Sequence, residues 1–185
     1  MSASSPEGSQ GSARVARVLL GAGAVRFGDF TLASGQRSDV YVDVKRAWTD
    51  PEALAILAGA LAERIGTPCP RLAGMELGAV PLVVATALRT GATYVILRKA
   101  AKEHGTRQRF EGTVAEGDRF VLIEDVATTG GSAAASVEIL RAAGARVDRA
   151  VAVVDREMGA TARLAGLGVR LEALTTLSEL RGAHR

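Results

Sequence analysis

The sequence predicts a single α/β domain with a mainly parallel central sheet flanked by helices. Three observations carry this. From about residue 71 onward, strand-like and helix-like stretches alternate with short connections, the rhythm of strand–helix–strand crossovers. Arg119-Phe120-Val121-Leu122-Ile123 is almost continuously apolar, as a parallel strand is when helices cover both faces. The chain has 185 residues, 48% of them hydrophobic, which suits one compact domain of ~100–200 residues.

The opening MSASSPEGSQGS is Ser/Gly-rich and predicts a disordered tail over residues 1–12, with the domain spanning 13–185. Val15, Val18, Leu19 and Ala22 have helical spacing that ends near Gly23. Phe30-Thr31-Leu32 leads into a polar turn, and Val40 to Val44 alternates as a strand does. Asp50-Pro51-Glu52 starts a helix, with the acid as cap and proline in the first turn, and that helix runs to Gly66. Then come a strand at 71–75, a turn at 76–79 and a helix at 81–88. A strand follows at 93–97, then the strand at 119–123 with its helix at 132–143. A strand at 149–154, a short helix near 160–167 and a last strand at 169–174 complete the sheet.

Charge sharpens the picture. Twenty-three Lys and Arg against 20 Asp and Glu leave +3. Between Arg98 and Arg109 five basic residues stand beside one acid, Glu103, a local +4 that leaves the rest of the chain at −1. So local a patch suits one compact anion better than a nucleic-acid backbone. One cysteine, Cys69, excludes an internal disulfide and a Cys-based zinc cluster and fits a reducing compartment. No apolar run reaches ~20 residues, and the N-terminus has no secretory pattern, so a cytoplasmic protein is expected. Gly21 to Arg26 begins like a dinucleotide fingerprint but follows a helix and lacks its third glycine. No Gly-Lys pair offers a Walker loop, and no Cys-x-x-Cys or His-Glu-x-x-His pattern offers a metal site.

In an open parallel sheet, ligands bind beyond the carboxyl ends of the strands. The most informative end is Glu124-Asp125-Val126-Ala127-Thr128-Thr129-Gly130-Gly131-Ser132. Two acids precede a Thr/Gly/Ser loop and a helix start. Backbone N–H groups, hydroxyls and the helix N-terminus suit a phosphate. The acids would repel that phosphate, but they suit sugar hydroxyls, so the pattern favours a sugar phosphate. The plain alternative is a turn in which Ser132 caps the helix and the acids are solvated. Arg98, Lys99, Lys102 and His104 suit a diphosphate leaving group, or else form a solvated basic loop. Arg156, after an apolar strand, suits a carboxylate or a base edge, or else pairs with Asp155 or Glu157.

The Glu124–Ser132 segment resembles the 5-phosphoribosyl 1-pyrophosphate (PRPP) motif of type I phosphoribosyltransferases. Phe30 to Gly35 with Ser38 and Tyr41-Val42-Asp43 is similar to the N-terminal signature of orotate phosphoribosyltransferases. Arg98 to Gly105 is similar to their mobile catalytic loop, and Val153 to Gly159 to their orotate-side strand end. Gly74 to Pro81 occupies the pyrophosphate-loop position. The likeness spans about residues 14–175. Some relatives carry Lys where this chain has Ala33 and Gly78, and an aromatic pair where it has Tyr41-Val42.

The resemblance implies the type I fold with a small N-terminal hood and a homodimer whose catalytic loop is shared between subunits. It implies transfer of ribosyl phosphate from PRPP to orotate. Arg98, Lys99, Lys102, His104 and residues Glu124 to Ser132 (Val126, Ala127, Thr128, Thr129, Gly130 and Gly131 between them) would bind PRPP. Lys102, Glu124 and Asp125 would be catalytic, and Thr128 and Arg156 would hold orotate. Mg2+ would arrive on PRPP without direct protein ligands. Two rivals share the motif: a phosphoribosyltransferase for another base, separable by a base panel, and a non-enzymatic PRPP sensor gripping nucleic acid, which would show steep salt dependence.

Overall fold

The computed structural model describes residues 6–31, 37–100 and 108–184, with side chains from Gln10 onward. Along the chain run α1 (Pro6–Gly21), β1 (Val25–Thr31), β2 (Arg37–Val42), α2 (Lys45–Trp48), α3 (Pro51–Ile65), β3 (Arg71–Met75), α4 (Val80–Thr90) and β4 (Tyr94–Leu97). Then follow β5 (Phe110–Glu111), β6 (Arg119–Ala127), α5 (Gly131–Ala142), β7 (Arg146–Asp155), α6 (Ala160–Ala165), β8 (Arg170–Thr176) and α7 (Leu177–His184).

Six strands form one sheet in the order β5-β4-β3-β6-β7-β8, parallel except for β5. From β3 the chain moves outward to β4, then returns to place β6 on the other side of β3. The strand order therefore reverses between β3 and β6, and their carboxyl ends frame a crevice there. β1 and β2 form a separate antiparallel hairpin, the hood.

The alternation of β6 divides the core. Val121 and Ile123 pack on one face with Leu19, Leu57, Leu61, Leu82 and Val83, from α1, α3 and α4. Phe120 and Leu122 pack on the other with Val137, Leu140 and Leu164, from α5 and α6. Both layers are fully enclosed, which explains the apolar run along β6. Asp50 caps α3 by accepting the Ala53 N–H at 2.8 Å, with Pro51 in the first turn, as the sequence indicates.

Four details depart from expectation. Residues 6–12, read as tail, belong to α1, and Ser12 is buried, donating to Glu179 at 2.7 Å. β1 was not legible because only its first residue is buried. The short α2 and the C-terminal α7 are additional. β6 continues through the acidic pair to Ala127 instead of stopping at Ile123. Its pairing with β3 ends at Ile123, but its pairing with β7 persists to Ala127 opposite Asp155.

Candidate active site at the strand-order reversal

Because β6 keeps its alternation beyond Ile123, its two acids leave on opposite sides. Glu124 continues the Phe120/Leu122 side and lines a cavity of about 220 Å³ with Val126 through Ala133, the loop into α5. Asp125 continues the Val121/Ile123 side and lies against Gly78 in the β3–α4 turn. A Cβ on Gly78 would overlap the Asp125 carboxylate, so the turn needs glycine there. A larger groove of about 830 Å³ between α1 and α3 shares no residue with this crevice.

The loop after β6 leaves the start of α5 without a side-chain cap. Gly130 is the N-cap of α5, with φ 75°, and no side chain caps the helix. A Cβ there would come within 3.0 Å of the Ala160 backbone. Ser132 does not serve as cap; its carbonyl accepts the Ser136 hydroxyl at 3.0 Å. The first N–H groups of α5 thus face the cavity without a side-chain acceptor, unlike those of α3, and a bound phosphate would satisfy them. The turn before α4 is likewise uncapped by any side chain.

Glu124 is 4% exposed, and its Oε1 has no hydrogen-bond partner. Burial first, then the neighbouring Asp125 charge, push its pKa from 4.5 to about 8, opposed by the Lys99 ammonium. The group is therefore largely protonated at neutral pH, ready to meet hydroxyl groups as donor and acceptor. Lys99 is brought here by its backbone, whose N–H donates to Glu76 Oε1 at 2.9 Å.

The basic segment leaves β4 and returns to β5 through a closed base. The Arg98 N–H donates to the Arg109 carbonyl at 2.8 Å, and Arg109 Nη2 donates to the Lys99 carbonyl at 2.6 Å. Arg98 Nη1 pairs with Glu111 at 3.0 Å. Lys102 and His104 lie outside the described residues, as does Ala33.

Arg156 follows β7, its N–H donating to the Ala127 carbonyl at 2.9 Å. Its Nη2 reaches Ser38 Oγ of the hood at 3.5 Å, and its Nε is buried without a partner. The two acids adjacent in sequence are otherwise engaged. Glu157, held at φ 59°, accepts the Ser178 N–H and hydroxyl at 2.9 and 2.6 Å. Asp155 accepts the Glu157 N–H at 2.8 Å. The guanidinium is thus held between hood and sheet with donor capacity to spare.

An uncapped helix start after β6, two acids beside it and a guanidinium at the end of β7 stand at the same end of the sheet. Residues 48–166 match the family model of the phosphoribosyl transferase domain. The chain belongs to the phosphoribosyltransferase family. It is 46% identical over 165 residues to the orotate phosphoribosyltransferase of Thermococcus gammatolerans, covering 88% of this chain and 87% of that protein. Among solved structures, the orotate phosphoribosyltransferase of Aeropyrum pernix superposes with a TM-score of 0.82 at 38% identity, covering 91% of this chain and 96% of that one. Leishmania donovani UMP synthase matches with a TM-score of 0.82 at 34% identity, covering 93% of this chain but 38% of that longer one.

The architecture is that of a type I phosphoribosyltransferase, as the sequence motifs imply. Around its crevice the structure gathers Lys99, Glu124 through Ser132 and Arg156. It draws Arg98 toward Glu111. Motif reading assigned no individual role to two charged residues: Glu76, within the Gly74–Pro81 segment, anchors the Lys99 backbone, and Lys45 pairs with Asp43 at 2.7 Å. The alternation Tyr41, Asp43, Lys45 between buried Val40 and Val44 was the available signal for the second.

Proposed function

We propose that this phosphoribosyltransferase transfers the 5-phosphoribosyl group of PRPP to orotate, giving orotidine 5′-monophosphate and pyrophosphate in pyrimidine nucleotide synthesis. The observation that carries the choice of base is Arg156. Its cation stands at the sheet edge nearest the sugar-phosphate cradle, held by Ser38 and unpaired by either adjacent acid. A base bearing a carboxylate supplies the missing anion and can accept two parallel hydrogen bonds.

The 5′-phosphate sits on the α5 N-terminus, within Thr128, Thr129, Gly130, Gly131 and Ser132. Glu124 and Asp125 take the ribose hydroxyls from the two sides of β6. The bond from the anomeric carbon to pyrophosphate oxygen breaks, and the bond to the orotate ring nitrogen forms. Pyrophosphate leaves with the electron pair, and the ring nitrogen gives up its proton. Positive charge develops on the ribose ring, where the Asp125 carboxylate stabilises it, while the protonated Glu124 serves the ribose hydroxyls as donor and acceptor. Lys99, together with Arg98, Lys102 and His104, receives the departing charge. Thr128 faces the base.

Magnesium enters as part of the PRPP complex. Among the described residues no group of three or more His, Cys, Asp or Glu side chains gathers to hold a metal. No described helix is long and apolar enough to cross a membrane. A cytoplasmic homodimer sharing the Lys102 segment between subunits completes the reading. The test is a panel of orotate, uracil, adenine and hypoxanthine, each with PRPP and magnesium. Orotate alone should be consumed efficiently; turnover of another base in its place overturns the assignment.

A further inference from the structure

The C-terminal helix α7 has no place in the mechanism above, yet it is bonded to both sides of the Arg156 contact with the hood. Four consecutive residues near its start face four different parts of the molecule. Glu179 accepts the Ser12 hydroxyl of α1 at 2.7 Å, the Thr175 hydroxyl at 3.1 Å and the Thr176 N–H at 2.8 Å. Leu180 is fully enclosed in the core with Val15 and Leu19. These two residues fix the helix. Ser178 and Arg181, three positions apart and so neighbours on the helix surface, reach outward.

Each reaches a residue next to the Arg156–Ser38 contact. Ser178 donates its N–H and hydroxyl to Glu157 at 2.9 and 2.6 Å, and Glu157 directly follows Arg156. Arg181 donates from Nη1 and Nη2 to the two oxygens of Asp39 at 2.7 and 2.6 Å, and Asp39 directly follows Ser38. Such a forked pair fixes direction as well as distance. The Phe27 ring of β1 stacks on His184 with centroids 4.3 Å apart, a second hold of α7 on the hood. The Ser38 hydroxyl donates to the Val40 carbonyl at 2.7 Å, so it meets Arg156 as acceptor. Glu157 holds its backbone at φ 59°, where glycine is favoured. A strained residue that commits its carboxylate to α7 points to a functional constraint. The Arg181–Asp39 pair points the same way. With side chains 38% and 70% exposed, it adds little to fold stability.

We propose that α7 is a brace for base recognition, with Glu157 and Arg181 as positioning residues that set the gap between the Arg156 guanidinium and the hood. The proposal rests on the reading of Arg156 as the group that meets the carboxylate of the base. Two parallel hydrogen bonds to a planar carboxylate tolerate little misplacement. The Arg156–Ser38 contact, at 3.5 Å, is too long to fix that aim by itself. The ties to α7 fix it from both sides: Glu157 holds the loop after β7, and Arg181 holds β2. None of the residues tied in this way lines the cavity before α5, so release of either tie acts on the base and not on PRPP.

The test uses the full chain with Arg181→Ala, Glu157→Gly, Arg156→Ala and the double variant Arg156→Ala/Arg181→Ala. Both KM values, kcat and the melting temperature are measured for each. Arg156→Ala is the control for the parent reading: if it leaves orotate KM unchanged, that reading fails and the brace falls with it. If it raises orotate KM, the other variants test the brace alone. Glycine at position 157 accepts the φ 59° backbone and removes only the carboxylate. Arg181→Ala and Glu157→Gly should each raise orotate KM roughly threefold to thirtyfold, the range of coupling through a side-chain network. PRPP KM should move less than about twofold. The melting temperature of Arg181→Ala should fall by less than about 4 °C, as the loss of an exposed ion pair allows. In the Arg156→Ala background, Arg181→Ala should add less than about twofold, because no guanidinium is left to aim. Unchanged orotate KM in either Arg181→Ala or Glu157→Gly would overturn the proposal. So would equal rises in both KM values, or an undiminished Arg181→Ala effect in the Arg156→Ala background.

Discussion

Replacing Glu124 by glutamine removes one titration while preserving shape. In the wild type, the Glu124 pKa is raised from 4.5 to about 8, by burial first and then by Asp125. Between those values the folded protein holds a proton that the unfolded chain has released. Glu124's contribution to stability is therefore fully present below about pH 4.5 and is lost as pH rises to about 8, where it levels off. At ~1.4 kcal/mol for each pH unit crossed, the loss has a ceiling of about 5 kcal/mol. The substituted amide stays neutral throughout, while other titrating groups cancel between the two proteins. Urea unfolding at pH 5, 7 and 9 reads the difference. The Glu124→Gln variant should gain on wild type steadily as pH rises, with little further gain above pH 8. A wild-type-minus-variant difference that is the same at pH 5 and pH 9 would refute the burial argument.

Other substitutions address the remaining parts of the site. Arg156→Ala should raise the orotate KM by roughly tenfold to a hundredfold, the worth of a charge-assisted contact, and barely alter PRPP binding; equal losses in both titrations would argue for a structural role. Gly78→Ala must displace the Asp125 carboxylate, so PRPP binding and turnover should both fall, and wild-type kinetics would contradict the packing seen there. Lys102→Ala should lower turnover by orders of magnitude at an unchanged melting temperature, and undiminished kcat would reject its role. Leu122→Ala, at a site with 0% exposure, should cost ~2–5 kcal/mol in denaturant unfolding without a selective effect on either KM.

What could be read in the sequence was local or strongly periodic. Asp50-Pro51 announced the start of α3 because the cap is a contact within three residues. The run from Phe120 to Ile123 announced a strand buried on both faces. The order of acids, Thr/Gly loop and helix marked the cavity before α5 because the residues that line it are nearly consecutive. Hidden features depended on residues distant in sequence. Nothing near Gly78 reveals that Asp125 lies against it, since β3 and β6 are brought together only by the sheet. The divergence of Glu124 and Asp125 required knowing that β6 stays paired with β7 after its β3 partner has ended. β1 gave little signal because its hairpin is half open to solvent, where apolar alternation is not enforced. Ser38 and Arg156 meet across 118 residues of sequence, and the tie between Arg181 and Asp39 at 2.6 Å likewise joins the hood to α7.

Orotate transfer is tested most directly by product stoichiometry in the purified protein. With PRPP and magnesium in excess, the fall in orotate absorbance should be matched by one pyrophosphate and one orotidine 5′-monophosphate for each orotate consumed. Pyrophosphate release that does not depend on orotate, or that appears with another base while orotate is left intact, would contradict the assignment.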